Sequence, residues 1–240
     1  MNKLFSFLCV SALLVTSAPA LQAQRVTGNG NVVSKDRPAS SFNEVHSKGS
    51  FDIVVTDGAN HKVRVEAEEN LQEFIEVNVN GNNLIIQGKK GVNFRATKPI
   101  TVYVTAPALQ AIKLSGSGNV KSDNTLTGSD RFEAKSTGSG NMSLDVETTS
   151  LQAAISGSGN MTLKGKTKDF DGSIAGSGNI RAKEMQSDNT SIKIAGSGNA
   201  EVVANVKLDS RISGSGDVRY WGNASVDTKI AGSGGVHRQH

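Results

Sequence analysis

Cysteine, proline and aromatic residues are scarce in this sequence, and each shortage excludes something. There is one cysteine in 240 residues, Cys9. It lies inside an apolar run from Leu4 to Val15 that follows Lys3 and precedes the small residues Ala18, Ala20 and Ala23. That is the pattern of a secretory signal peptide over residues 1–23, with cleavage after Ala23, leaving Gln24 first, or after Ala20. Cys9 sits within the run rather than at its end, which argues against a lipid-anchoring cysteine. The exported chain is therefore expected to hold no thiol. That excludes a disulfide staple, a cysteine nucleophile and a thiolate metal site, although export permits disulfides. Stability must come from burial and hydrogen bonds. Long hydrophobic runs are missing as well: the apolar run is too short to remain as a membrane anchor, so an integral membrane protein is not expected.

An excess of one charge is equally lacking. Lys and Arg number 26 against 22 Asp and Glu, a net charge of +4 that becomes +3 once Lys3 is removed. So small an excess gives no case for nucleic acid as a partner. With 4 prolines and 5% aromatic residues, what stands out is 26 glycines. A disordered glycine-rich linker would not also carry regularly spaced Ile and Val. The mature length, 240 − 23 = 217 residues, is enough for one sizeable core.

The glycines belong to a recurring phrase: "LSGSGNV" at 114, "STGSGNM" at 136, "ISGSGNM" at 155, "IAGSGNI" at 174, "IAGSGNA" at 194, "ISGSGDV" at 212 and "IAGSGGV" at 230. Its first glycines, Gly116, Gly138, Gly157, Gly176, Gly196, Gly214 and Gly232, are separated by 22, 19, 19, 20, 18 and 18 residues. Such periods indicate a solenoid, in which stacking of units supplies the core. Within a unit the apolar residues alternate, as in Ile192 and Ile194, Ala200 and Val202, or Ile180 and Ala182, with Lys193, Glu201 and Arg181 between them. That is strand periodicity, so the predicted fold is an all-β parallel solenoid of about 18–22 residues per coil over residues 111–240. Each "GSGN" is a corner whose two glycines are expected to supply positive φ. Asn119, Asn141, Asn160, Asn179 and Asn199 should stack roughly 4.8 Å apart as an amide ladder, which Asp217 and Gly235 are expected to break. A dinucleotide loop needs a third glycine, a following helix and a later acidic residue; a calcium roll needs nonapeptides with aspartate in each turn. Neither pattern occurs.

Residues 24–110 read as a sheet that begins the solenoid and caps its open end, because an uncovered strand edge aggregates. Faint copies of the phrase are "VTGNGNV" at 26 and "SKGSFDI" at 47, the latter with Asp52 in the asparagine place. The gap from Gly49 to Gly116 is too long for one coil. It holds alternating pairs such as Val63 and Val65, Leu84 and Ile86, and Val102 and Val104, a hairpin signal at Asn80 and Gly81, and one short helical turn between Glu68 and Ile75.

These corners, the "KPITVYVTAPALQAIKLSGSGNV" passage, the "NVNGNNLIIQGKKG" hairpin and the leader together resemble the family called putative auto-transporter adhesin, head GIN domain, common in secreted Bacteroidetes proteins. The resemblance covers essentially the whole mature chain. It implies a right-handed β-helix and an adhesive role, and carries no catalytic motif. An autotransporter ends in a membrane barrel, whereas the residues up to "GVHRQH" contain no such segment, so self-translocation is not expected.

No catalytic, metal or cofactor site is expected. Asp123, Asp145 and Asp188 follow their corners at unequal distances, Asp169 and Asp171 sit on one strand, and carboxylate pairs for glycoside cleavage must flank a cleft. His46, His61, His237 and His240 do not pair with the corner serines, Ser117 to Ser233, as nucleophilic catalysis requires. One feature rises above the background. The outward place before each corner is Lys113, Lys135, Ala154, Ser173, Lys193, Arg211 and Lys229, a basic row. The outward places after it are Lys121, Ser143, Thr162, Arg181, Glu201, Arg219 and His237. Lysines solubilise exposed sheet faces, yet an unmixed basic row has an electrostatic cost; an anionic polysaccharide or surface polymer would relieve it. Tyr220 and Trp221 either stack on sugars or shield the end of the solenoid. The reading is an exported, non-enzymatic, adhesin-like binding protein of the periplasm, cell surface or extracellular space. The alternatives are an envelope structural or assembly component and, third, a polysaccharide-processing enzyme.

Overall fold

The computed structural model describes residues 25–240; the leader lies outside the described residues. Strands β1 (Arg25–Thr27) and β2 (Val32–Arg37) precede the first coil, formed by β3 (Glu44–Gly49) and β4 (Asp52–Asp57). The chain then departs through β5 (Lys62–Glu68), a 3-10 turn (Glu69–Phe74), β6 (Ile75–Asn80), β7 (Asn83–Gly88), β8 (Asn93–Arg95) and β9 (Thr101–Ala106). From β10 (Ala111–Gly116) it coils without interruption: β11 (Asn119–Ser122), β12 (Arg131–Gly138), and three long bent strands, β13 (Asn141–Gly157), β14 (Asn160–Gly176) and β15 (Asn179–Gly196). The final coils are β16 (Ala200–Val203) and β17 (Lys207–Gly214), β18 (Val218–Trp221) and β19 (Ser225–Gly232), and β20 (Val236–Arg238). The stacked parallel coils make a β-solenoid.

Each coil gives one strand to a first sheet, ending at the corner glycine, and one to a second sheet, starting at the asparagine place. Their inward residues meet as one core, with Ile112, Phe132, Leu151, Ile174 and Ile194 from the first sheet and Val120, Met142, Met161, Ile180 and Val218 from the second, all buried. The corner glycines align one above another, from Gly49 and Gly116 through to Gly214 and Gly232.

The two glycines of a corner do different work. Gly176 has φ +124°, a conformation L side chains avoid, whereas Gly178 has no such φ. At both, a Cβ would run into the carbonyl oxygen of the matching glycine one coil below. The expectation that both supply positive φ is therefore corrected: the second glycine is required by close approach. The reason is visible in the bonding. Ser177 and Gly178 N–H both donate to the Gly157 carbonyl, at 3.0 and 3.1 Å, so successive corners touch backbone to backbone.

Beside the corner runs the amide ladder. Asn141 Nδ2 donates to Asn119 Oδ1 (3.1 Å), Asn160 to Asn141 (3.1 Å), Asn179 to Asn160 (2.9 Å) and Asn199 to Asn179 (3.1 Å). Asp217 does not break it: its N–H donates to Asn199 Oδ1 at 3.0 Å and its carboxylate accepts the Gly235 N–H at 2.9 Å. At the other end Asp52 accepts from Asn119 Nδ2 at 2.9 Å. Every amide donates toward the preceding coil, so the lowest member needs only to accept, and a carboxylate suits it.

The N-terminal part is threaded out of order. β7 pairs with β3 and β9 with β4, so the later strands lie beneath the earlier coil. Antiparallel β6 and β5 then close the stack on β7 and β9, and β2 lies antiparallel on β5. "VTGNGNV" is consequently not a coil corner, because antiparallel β5 separates the strand that follows it from the parallel stack, while β1 pairs with β8 in a sheet of their own. The hairpin turns at Gly81, φ +59°.

Buried Glu68 ties this cap together. Its carboxylate accepts from Thr97 Oγ1 (2.6 Å) and N–H (2.8 Å), Gly30 N–H (2.6 Å) and Lys98 N–H (3.4 Å). The Thr97 hydroxyl above all, opposed by burial and helped by the three backbone N–H groups, lowers its pKa from 4.5 to about 2.

Two measurements follow from these contacts. Gly176→Ala should lose more than about 3 kcal/mol in urea unfolding, combining backbone strain with the clash below, while Ser177→Ala at the exposed corner tip should stay within about 0.5 kcal/mol of the parent. Glu68 binds its proton less readily folded than unfolded, so its stabilisation is full above pH 4.5 and fades as pH falls toward about 2. Thermal melts should show that decline in the parent, and Glu68→Gln should melt lower at pH 7 with a flatter acid dependence.

Candidate functional site

The basic row is continuous in space, since Lys113 lies beside Lys135, and the register runs on through Ala154, Ser173, Lys193 and Arg211 to Lys229. It is not unmixed. Residues two earlier share its face, and there stand Glu133, Asp171, Asp209 and Asp227. Lys113 Nζ sits 3.0 Å from Glu44 and 3.2 Å from Glu133, Lys193 lies 3.7 Å from Asp171, and Arg211 3.3 Å from Asp209. Partial burial disfavours the Lys113 ammonium, but its hydrogen bonds to the two carboxylates outweigh this and raise its pKa. At Lys113, Lys193 and Arg211 the electrostatic cost expected of this row is thus met within the protein by adjacent carboxylates.

Tyr220 and Trp221 point to opposite sides of β18. Tyr220 is buried in the core and Trp221 is half-buried on the outer face, beside Val203. The two rings form no joint surface, and β19 and β20 lie beyond them. Among the described residues no three His, Cys, Asp or Glu side chains gather as a metal site. His46 Nε2 is 3.0 Å from Ser115 Oγ, which is not a corner serine, and His61 Nε2 is 2.9 Å from the Phe42 carbonyl oxygen. Burial, then Lys48 and Lys113, lower the His46 pKa, with Glu44 opposing.

The outer face of the second sheet holds a groove of about 970 Å³. One row crosses its floor: Arg64 beside Tyr103, Tyr103 beside Val54, Val54 beside Lys121, and so on through Ser143 and Thr162 to Arg181. Val54, Ser143 and Thr162 are the short side chains of this row, with Arg64, Tyr103 and Arg181 towards its two ends and Lys121 in its middle. The Arg64 guanidinium lies 4.6 Å from the centre of the Tyr103 ring. Asn119, Asn141 and Asn160 of the ladder line one side. Lys62, Arg64, Lys121 and Arg181 reach the groove, and among the described residues none has a carboxylate in ion-pair range. Asp36, Asp52 and Asp123 also line it.

Sequence reasoning had placed Lys121, Ser143, Thr162 and Arg181 outward in one row. It missed Arg64 and Tyr103, because β5 and β9 reach that row through the out-of-order cap. The available signal was the alternation in "KVRVEA" and "TVYVTA", which sets both residues outward without saying beside what.

The family described as "Putative auto-transporter adhesin, head GIN domain" matches residues 41–224. Among solved structures, a putative adhesin from Bacteroides fragilis is similar with TM-score 0.83 and 23% identity, over 89% of this chain and 100% of that one. A putative lipid binding protein from Parabacteroides distasonis gives TM-score 0.76 and 26% identity over 90% and 100%. A putative adhesin from the same organism gives 0.74 and 28% over 90% and 100%. Among the curated proteins no match was found. No helix among the described residues is long and apolar enough to cross a membrane.

Proposed function

We propose, from the premise that the chain belongs to the family described as "Putative auto-transporter adhesin, head GIN domain", that it is an exported, non-catalytic, adhesin-like protein that binds an acidic glycan or other anionic surface polymer along the second-sheet groove. The observation that carries this is the groove itself: cations without carboxylate partners, a tyrosine face, and hydroxyl and amide groups repeated coil by coil. An extended polymer lying across the coils meets the same row of polar groups at each step of roughly 4.8 Å. Ring–sugar stacking and charge attraction then act together, and the attraction is screened by salt. Here the groove, not the ion-paired row on the first sheet, is the binding face. A second reading, an envelope structural or assembly component, is favoured by the open edge of the last coil.

On a glycan and envelope-polymer array read at two salt concentrations, the mature protein should retain acidic polysaccharides and release them as salt rises. Tyr103→Ala combined with Arg64→Gln and Lys121→Gln should weaken binding about tenfold or more, whereas Lys135→Gln with Lys229→Gln should leave it unchanged. Salt-insensitive binding, or retention by the groove variant, overturns the assignment.

A further inference from the structure

We propose that the C-terminal end of the rod is a self-association surface, on which two copies of this chain join through β19 running antiparallel about a two-fold axis at Thr228.

The last coil leaves core positions open. Leu208 and Ile212 are 0% and 2% exposed, while Val226 and Ile230, next in the same columns, are 39% and 43% exposed. β19 pairs with β17 on one side only among the described residues. Ser225 N–H donates to the Val206 carbonyl in the coil below, and groups on a strand alternate, so Val226, Thr228 and Ile230 present N–H and C=O to the open side. The opposite end of the rod is guarded differently: β2 carries exposed Lys35 and Asp36, with Arg37 and then Pro38, the devices that blunt a free edge.

What covers the open edge is written in the strand "SVDTKIAG". Laid antiparallel on a copy of itself about Thr228, it sets Val226 against Ile230, Asp227 against Lys229, and Thr228 against Thr228. Apolar meets apolar on the core side and opposite charges meet on the outer side, twice each by symmetry. Val226, Thr228 and Ile230 then fall at the hydrogen-bonded pairs. Asp227 and Lys229 fall at the pairs where side chains approach more closely. A strand of different sequence would have to reproduce this alternation; an identical one does so automatically.

Sedimentation equilibrium or light scattering of the mature protein over a concentration series tests this, with melting temperature as a folding control. The parent should be a dimer. Thr228→Pro removes only an outward N–H and should give a monomer with little change in melting temperature. Asp227→Lys sets lysines opposite each other and should weaken the dimer about tenfold or more. The charge swap Asp227→Lys with Lys229→Asp restores complementarity and should restore the dimer. A monomeric parent, a dimer indifferent to either single change, or a swap that fails to rescue each overturns the proposal.

Discussion

One contact holds the architecture together: the carbonyl of a corner glycine accepting two N–H groups from the corner above. It requires backbones to approach with no side chain between them, which is why both glycines of "GSGN" meet a carbonyl where a Cβ would go. Once that distance is set, the strands on either side of the corner are in register. Variation in coil length, 18 to 22 residues, is taken up elsewhere. The coil of 20 between Gly176 and Gly196 holds its extra residue as an irregularity opposite Thr162 and Lys164, between their β15 partners Arg181 and Glu184, past the corner itself. The corner is constant because it cannot stretch, and the bends vary because they can.

The same contact sets the amide ladder and its direction. A column of asparagines could point either way along the rod, but a strand order that brings Asp52 to the bottom selects one, since a carboxylate accepts and cannot donate. The charged and neutral forms of one side-chain shape thus mark start and interior. At the top, Asp217 hands the column to a backbone N–H. The stack is polar in bonding as well as in chain direction, and its ends are chemically different.

Legibility in the sequence follows the range of each constraint. The corners, the coil length, the alternation and the asparagine column are local and repeated, so they could be read from residues 111–240 directly. The cap could not, because placing β7 and β9 beneath β3 and β4 depends on long-range pairing that no periodicity records. "VTGNGNV" shows the hazard, having the letters of a corner without its neighbours. The acidic row beside the basic one was readable in principle, two residues before Lys135, Ser173, Arg211 and Lys229. Tyr103 and Arg64 in the groove share the fate of the cap that supplies them.

A solenoid separates structure from function more cleanly than a globular domain. Its inward rows must be apolar and mutually matched, and its corners must be glycine, so selection for binding can act only on the outward rows and at the ends. The two outward faces here have been used differently. On the first sheet, acidic and basic rows lie side by side and satisfy each other, which leaves little net field for a ligand. On the second, the asparagines beside the central row are spent on the ladder, so on that side Lys121 and Arg181 have amides rather than a carboxylate column next to them. The ladder that stabilises the corner is therefore also what sets amides rather than carboxylates along that side of the row, and the face proposed for binding follows from how the stack is bonded.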